Sequence, residues 1–243
     1  MVEQLVLTRV LNSLVGGAVA PVLQSVGIQA DPKTVITNAF ALELVVVVGL
    51  IAFFALVRAT LSVEKPGGVQ QVAEMLHEFI GGQAEPILGH DTGQFQAFAT
   101  CIFLFVLLNN LLGLIPGIPA PTTSPVVPLG IAVPTFLLYN FMGLKRNGPI
   151  GYLKHFCGPM PALAPLMFPI EIVSHLARVM SLTIRLYANM FAGDLVTLVF
   201  FSLIPVAIPC VFLGLHLFVS LVQAFVFTLL AMIYLSLAVA HEH

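Results

Sequence analysis

Long runs of apolar residues, separated by short polar connections, dominate this chain. A helix needs about 20 mostly apolar residues to cross the hydrocarbon core of a bilayer. Five segments have that character, and the last two are longer than a perpendicular crossing requires, so we expect them to be strongly tilted or to lie partly along the membrane plane. The five predicted membrane-embedded helices are 39–57, 95–115, 127–144, 167–203 and 207–240.

Residues 66–88 follow a different pattern. Apolar side chains such as Val69, Val72 and Ile80 recur at helical spacing, opposite a polar side that includes Glu74. This pattern predicts an amphipathic helix that lies along the membrane surface or against a partner instead of crossing the bilayer.

Composition agrees with a membrane location. Mean hydropathy is +1.05 and 8% of the residues are charged, against about a quarter in ordinary globular chains. The net charge of −2 offers no basic surface for nucleic acid. The three cysteines are widely spaced, so they indicate neither a disulfide framework nor a metal site, and no cofactor-binding motif is recognisable. We therefore predict an all-α polytopic membrane protein, with residues 1–243 in a single membrane domain.

Basic residues are unevenly distributed among the connections. Lysine and arginine are enriched on the cytoplasmic side of membrane proteins. The connections near 116–126 and 204–209 carry neither residue, so we place the other two connections in the cytoplasm. The outer N-terminal segment, 1–38, then lies outside and the C-terminus lies inside. The basic residues of the two cytoplasmic connections are Arg58, Lys65, Lys145, Arg146 and Lys154.

Ionisable residues are concentrated in the segment 167–203, where a lipid-facing helix would carry none. At about 100° per residue, most of its polar residues fall on one side of the helix, whereas Asp194 falls on another. For Glu171 and Arg178, a structural ion pair between the two is as good an explanation as a functional role. For His175, a structural hydrogen bond is at least as good an explanation as a functional role. The polar side comprises Glu171, Ser174, His175, Arg178, Ser181, Arg185 and Asn189.

Arg185 is harder to explain as a structural residue. It lies deep within its segment, and a guanidinium stays charged at any relevant pH. Insertion scales give a cost of about 2.5–3.5 kcal/mol for an arginine at the bilayer centre. No acidic residue lies three or four positions away on either side. We therefore expect its counter-charge to come from elsewhere, including from another chain.

The last predicted helix carries a second group of polar residues on one face, among them His216, Ser220 and Gln223. If the two long helices form an antiparallel hairpin about Pro205, residues at equal depth have numbers that sum to about 410. Asp194 then pairs with His216, and Arg185 lies level with Gln223 to within a helical turn. A carboxylate beside an imidazole is a plausible proton relay, because both groups can titrate near neutral pH when partly desolvated.

Three stretches together resemble one family, subunit a of the F-type ATP synthase. They are "SLTIRLYANMFAGDL" at 181–195, "HLFVSLVQAFVFTLLAMIYLSLAVAHEH" at the C-terminus and "NNLLGLIPG" at 109–117. The resemblance covers most of the chain from about residue 38 onward. One departure is Asp194, since the family often has glutamate at that position.

The resemblance implies a role for each polar residue. Arg185 matches the arginine that faces the essential carboxylate of the c-ring, and Asp194, His216 and Gln223 match an acid, its partner and a glutamine near the arginine. The long hairpin is implied to wrap around the c-ring. The remaining matching positions line the aqueous half-channels or the rotor surface, and they are Asn189, Ser181, Glu171 and His175.

The resemblance also implies a non-catalytic, proton-translocating subunit of the bacterial cell (inner) membrane, present in one copy beside the c-ring and subunit b, without cofactors or metals. Two other classes of function stay open. A secondary ion-coupled transporter would show broken helices in two repeated halves, and no duplication is visible. An intramembrane enzyme would need a nucleophile or metal set that cannot be assembled from these residues.

Overall fold

The structure, a computed structural model, describes residues 5–25, 31–62, 66–115, 117–157, 164–203 and 207–239. Within these ranges every regular element is helical, which confirms the predicted all-α class. Two single 3-10 turns, Gly89–Asp91 and Pro121–Thr123, flank the fourth α-helix and its connection to the fifth. The α-helices are α1 (Val6–Ser25), α2 (Asn38–Ala59), α3 (Gly68–Leu88), α4 (Thr92–Leu112), α5 (Val126–Cys157), α6 (Ala164–Leu203) and α7 (Ala207–Val239).

Six of these helices are long and apolar enough to cross a membrane, which is one more than the sequence pattern predicts. The additional one is α1. It contains Arg9, Asn12 and Pro21, which interrupt its apolar run, so the segment is less clearly hydrophobic than α2. The chain is therefore a multi-pass membrane protein by helix length and composition.

A buried asparagine on α1 hydrogen-bonds to the segment before α2. Asn12 donates from Nδ2 to the Ile36 carbonyl at 3.1 Å and accepts at Oδ1 from the Ile36 N–H at 2.9 Å. Both backbone groups of Ile36 are thus satisfied away from water, where an unpaired group would be costly. Gly16 allows the close approach, since a Cβ there would lie 2.1 Å from the Pro32 carbonyl oxygen.

The core forms where α7 packs against α3, α4, α5 and α6. Small side chains such as Ala224 and Ala231 are buried beside Phe227, so neighbouring backbones approach α7 closely. On α6, Leu186 and Met190 are one helical turn apart and fully buried. The face of α6 that carries these two residues therefore lies against the core.

The predicted amphipathic helix is present as α3. Ile80, Ala84 and Leu88 are buried against the core, because they recur at four-residue spacing on one face. A neighbouring apolar face that includes Val72 and Met75 is exposed. The end of α3 is also joined to α7, where the Ser236 hydroxyl donates to the Ile87 carbonyl at 2.7 Å.

The last two helices have the excess length that the sequence predicts. α6 has 40 residues and α7 has 33, which at about 1.5 Å per residue gives about 60 Å and 50 Å, against about 30 Å for a hydrocarbon core. The predicted turn about Pro205 and the C-terminal residues 240–243 lie outside the described residues.

Helix α5 extends further than expected. The sequence predicts a connection from residue 145, but helical structure continues to Cys157, with a break at Gly148. Gly148 has φ 70°, a conformation that is open to glycine and strained for other residues. Before the break, Arg146 forms an ion pair with Asp91, which joins α5 to the turn between α3 and α4.

Candidate functional site

Arg185 lies on the exposed side of α6. Leu182, Leu186 and Met190 form the buried face of α6, whose centre lies about 100° around the helix from Arg185, and Arg185 itself is exposed. Its Nη2 donates to the Ser181 hydroxyl at 3.4 Å. In the part of the chain that the structure describes, no carboxylate forms an ion pair with it. The expectation that its counter-charge lies elsewhere is therefore consistent with the fold.

The exposed surface around Arg185 is built mainly of small side chains. They leave the guanidinium accessible and allow another helix to approach α6 closely. Bulkier apolar residues such as Ile184 and Phe191 flank this strip and are also exposed. The exposed small residues are Ala177, Ser181, Ala188 and Ala192.

Asn189 and Gln223 connect the arginine region to α7. Asn189, one turn after Arg185, donates from Nδ2 to Gln223 Oε1 at 2.9 Å. Gln223 is buried, and its Nε2 has no hydrogen-bond partner among the described residues. This contact confirms that Gln223 lies within about a helical turn of the depth of Arg185.

Asp194 and His216 meet as predicted. Asp194 Oδ1 lies 3.7 Å from His216 Nδ1, an ion-pair distance that is longer than a normal hydrogen bond. The imidazole side chain is 3% exposed and the carboxylate 27%, so the carboxylate is the more accessible member of the pair. The Nε2 atom of His216 is buried and has no hydrogen-bond partner within the described ranges.

Gly193 is a functional position that the sequence analysis missed. A Cβ on this residue would lie 2.7 Å from His216 Nδ1, which is too close for any carbon atom. With any other residue at 193 the imidazole would have to shift from its position beside Asp194. A glycine inside a helix lowers its stability by about 0.5–1 kcal/mol relative to alanine. The presence of Gly193 within a predicted helix was therefore the signal in the sequence that the position has a special role.

A second polar cluster lies near the start of α6. Glu171 Oε1 is 3.4 Å from His175 Nε2 and 3.8 Å from Arg178 Nη2, so the structural pairing of Glu171 with Arg178 is observed. The hydroxyl of Tyr139 on α5 lies 2.9 Å from His175 Nδ1. The Arg178 guanidinium lies 5.2 Å from the ring centre of Tyr234 on α7. Residues from three helices thus contribute to this cluster.

A buried hydrogen-bonded group also joins α4 to α7. Asn110 donates from Nδ2 to the Ser220 carbonyl at 3.4 Å and accepts at Oδ1 from the Thr122 hydroxyl at 2.8 Å. The Ser220 hydroxyl lies 3.8 Å from Met190 Sδ on α6. Asn110 thus hydrogen-bonds to a neighbouring helix. The sequence analysis did not identify Thr122, because it lies in a turn without helical periodicity.

The two clusters lie on opposite sides of Arg185 along α6. Glu171 precedes the arginine by about 21 Å and Asp194 follows it by about 14 Å, at 1.5 Å per residue. The described residues contain no group of three His, Cys, Asp or Glu side chains that could hold a metal ion. The arrangement can bind and release protons at two depths, with a permanent positive charge between them.

Known proteins are similar in sequence to this chain over most of its length. A family model described as "ATP synthase A chain" matches residues 40–236. A Koribacter versatilis protein named ATP synthase subunit a is 48% identical over 100% of both chains. A protein with the same name from Solibacter usitatus is 50% identical over 85% of this chain and 88% of its own. The present chain therefore belongs to the ATP synthase A chain family.

Proposed function

We propose that this chain is the stator subunit of an F-type ATP synthase that carries protons to and from the carboxylates of a rotating c-ring. The observation that carries the proposal is the position of Arg185. Its guanidinium is exposed, has no carboxylate partner among the described residues and lies between two titratable clusters. A permanent charge facing outward from a membrane helix requires a counter-charge, and a carboxylate on a partner helix supplies one.

The charge of Arg185 explains how such a site works. A guanidinium cannot lose its proton, so it favours the ionised form of each carboxylate that passes and makes that carboxylate release its proton. The same charge repels protons that would otherwise cross directly from one cluster to the other. Proton flow is thus coupled to movement of the partner carboxylate past the arginine. The exposed small residues beside it allow that partner helix to come close.

The two clusters serve as two offset half-channels. Asp194, His216 and Gln223 serve the outer one, with Asn189 linking Gln223 to the arginine region. Glu171 and His175 serve the cytoplasmic one, and Ser181 lies between that cluster and Arg185 on the same helix. This assignment follows the orientation from basic residues, which places the connection between α5 and α6 and the C-terminus in the cytoplasm.

The proposal includes the assembly and its location. The chain acts as one non-catalytic copy in a complex with the c-ring and subunit b, in the bacterial inner membrane. Its relatives named ATP synthase subunit a support this assignment. The excess length of α6 and α7 fits a tilted hairpin that follows the curved surface of a ring.

The test compares Arg185→Ala with Arg58→Ala, which removes the same side chain at the cytoplasmic end of α2. Each variant is assembled into the whole complex in inverted membrane vesicles, and ATP-driven acidification of the vesicle interior is measured. We expect Arg185→Ala to abolish pumping while the amount of assembled complex stays the same, and Arg58→Ala to pump normally. Pumping by Arg185→Ala at the parent rate would refute the proposal.

A further inference from the structure

The side chain of Tyr139 on α5 contacts a titratable residue of the α6 polar side. Its hydroxyl oxygen lies 2.9 Å from His175 Nδ1. The two ring centres are 5.6 Å apart, and the ring planes are tilted by 31° to each other. Tyr139 is 2% exposed and His175 8%. The contact is therefore buried, and packing holds both rings in place.

The two ring nitrogens of His175 face different groups. Nδ1 faces the tyrosine hydroxyl, whereas Nε2 faces Glu171 Oε1 at 3.4 Å. The partner of one imidazole nitrogen decides which tautomer the neutral ring adopts. A hydroxyl oxygen can accept from Nδ1–H. When it does, Nε2 keeps its lone pair and can accept a proton from the carboxyl group of Glu171.

The surroundings of His175 on all three packed helices are polar or aromatic. From α6 come the charges of Glu171 and Arg178. From α5 come the phenol of Tyr139 and the ring of Phe136, which lies 6.4 Å from the imidazole centre at 76°. From α7 comes Tyr234, whose ring lies 6.2 Å from that of Tyr139. Rotation of the His175 ring would break the Tyr139 contact, and it would take place in a closely packed environment.

We propose that Tyr139 is a positioning residue that holds His175 in the tautomer needed for proton exchange with Glu171. This inference rests on the proposed function, in which Glu171 and His175 serve the cytoplasmic half-channel. In the exchange step, the protonated Glu171 carboxyl gives its proton to Nε2, which leaves a carboxylate beside an imidazolium. Nδ1–H donates to the Tyr139 oxygen before and after the step, so the ring changes charge without turning. The reverse transfer restores the starting state.

Tyr139→Phe tests the proposal because it retains the aromatic ring and removes only the hydroxyl. Inverted vesicles that contain the whole complex are supplied with ATP, and the initial rate of acidification is measured while the external pH, which is the cytoplasmic side, is varied. We expect the rate at the alkaline end to fall about fivefold, the factor that one net hydrogen bond provides. The rate at the acidic end should change little, because the high proton concentration there compensates for the slower proton exchange at His175.

Thr135→Val is the matched control. It removes a buried hydroxyl of the same helix, one helical turn before Tyr139, that donates to the Ile131 carbonyl at 2.8 Å, and it keeps the shape of the side chain. We expect the pH profile of this variant to match that of the parent.

His175→Asn, alone and combined with Tyr139→Phe, separates positioning from general packing. If Tyr139 acts through His175, removing its hydroxyl should change nothing further once His175 is replaced, so the double variant should pump like His175→Asn alone. A merely structural hydroxyl would lower the rate by the same factor in both backgrounds. That additive result would overturn the inference, as would a Tyr139→Phe profile identical to the parent profile.

The same vesicles also contain the test of the proposed function. Pumping by Arg185→Ala would refute the proposed function itself. A complete loss in Arg185→Ala combined with additive or absent effects of Tyr139→Phe would refute only the role of Tyr139. Each rate is divided by the complex content, measured by ATP hydrolysis after detergent release, so that a difference in assembly does not count as a difference in pumping.

Discussion

His216 Nδ1 lies 3.7 Å from Asp194 Oδ1, and the residue next to that carboxylate, Gly193, has no room for a side chain beneath the imidazole. The pair therefore depends on a backbone position as much as on two titratable groups. A chain can keep both the acid and the histidine and still lose their contact if the helices α6 and α7 are pushed apart.

Gly193→Ala should impair pumping even though alanine favours a helix. The added Cβ would meet His216 Nδ1 at 2.7 Å, so the imidazole must move away from Asp194. We expect the rate of ATP-driven acidification to fall about tenfold or more, since small misplacements of reacting groups are costly. Gly49→Ala on α2 is the control, because a Cβ there meets nothing within 4 Å. Equal rates for the two variants would show that the close approach is unimportant.

Asp194→Asn and Asp194→Glu should behave differently. The asparagine has nearly the same shape but cannot carry a proton between ionised and neutral forms, so we expect pumping to fall about a hundredfold. The glutamate keeps the acid and adds one methylene. Because the carboxylate is 27% exposed and 3.7 Å from the imidazole, the longer side chain has space to bend and should keep most of the activity. Acidification rates check both expectations, and an active Asn variant would contradict the role of the carboxylate.

Asn189 and Gln223 should be energetically coupled. Each is replaced by alanine, singly and together. Thermal unfolding of the purified complex is then measured through the loss of subunit association as the temperature rises. The hydrogen bond of 2.9 Å predicts a coupling free energy of about 0.5–1.5 kcal/mol between the two positions. Ser202→Ala with Gln223→Ala serves as an uncoupled control pair, because the Ser202 hydroxyl donates to its own helix at Val199. Additive effects of Asn189 and Gln223 would mean that their contact contributes nothing.

The regular spacing of a helix explains why much of this site could be predicted before any coordinates. A repeat of about 100° per residue separates Arg185 from Asp194 on different faces of α6. A constant rise per residue converts residue number into depth, so an antiparallel hairpin pairs Asp194 with His216 and brings Gln223 near the arginine. Both properties are local to the backbone, and they hold for any continuous helix with this sequence.

Contacts between different helices could not be predicted from the periodicity and rise of a single helix. Three such contacts depend on how closely and at what angle the helices pack. They are the contact of Tyr139 with His175, the hydrogen bonds of Asn110 with Ser220 and Thr122, and the close approach of His216 to Gly193. Packing angle and distance depend on many side chains of the core at once, and no periodicity in one segment encodes them. The pattern of the chain therefore determined which residues face each other along α6 and α7, whereas the tertiary packing decided which side chains from the other helices hold them in place.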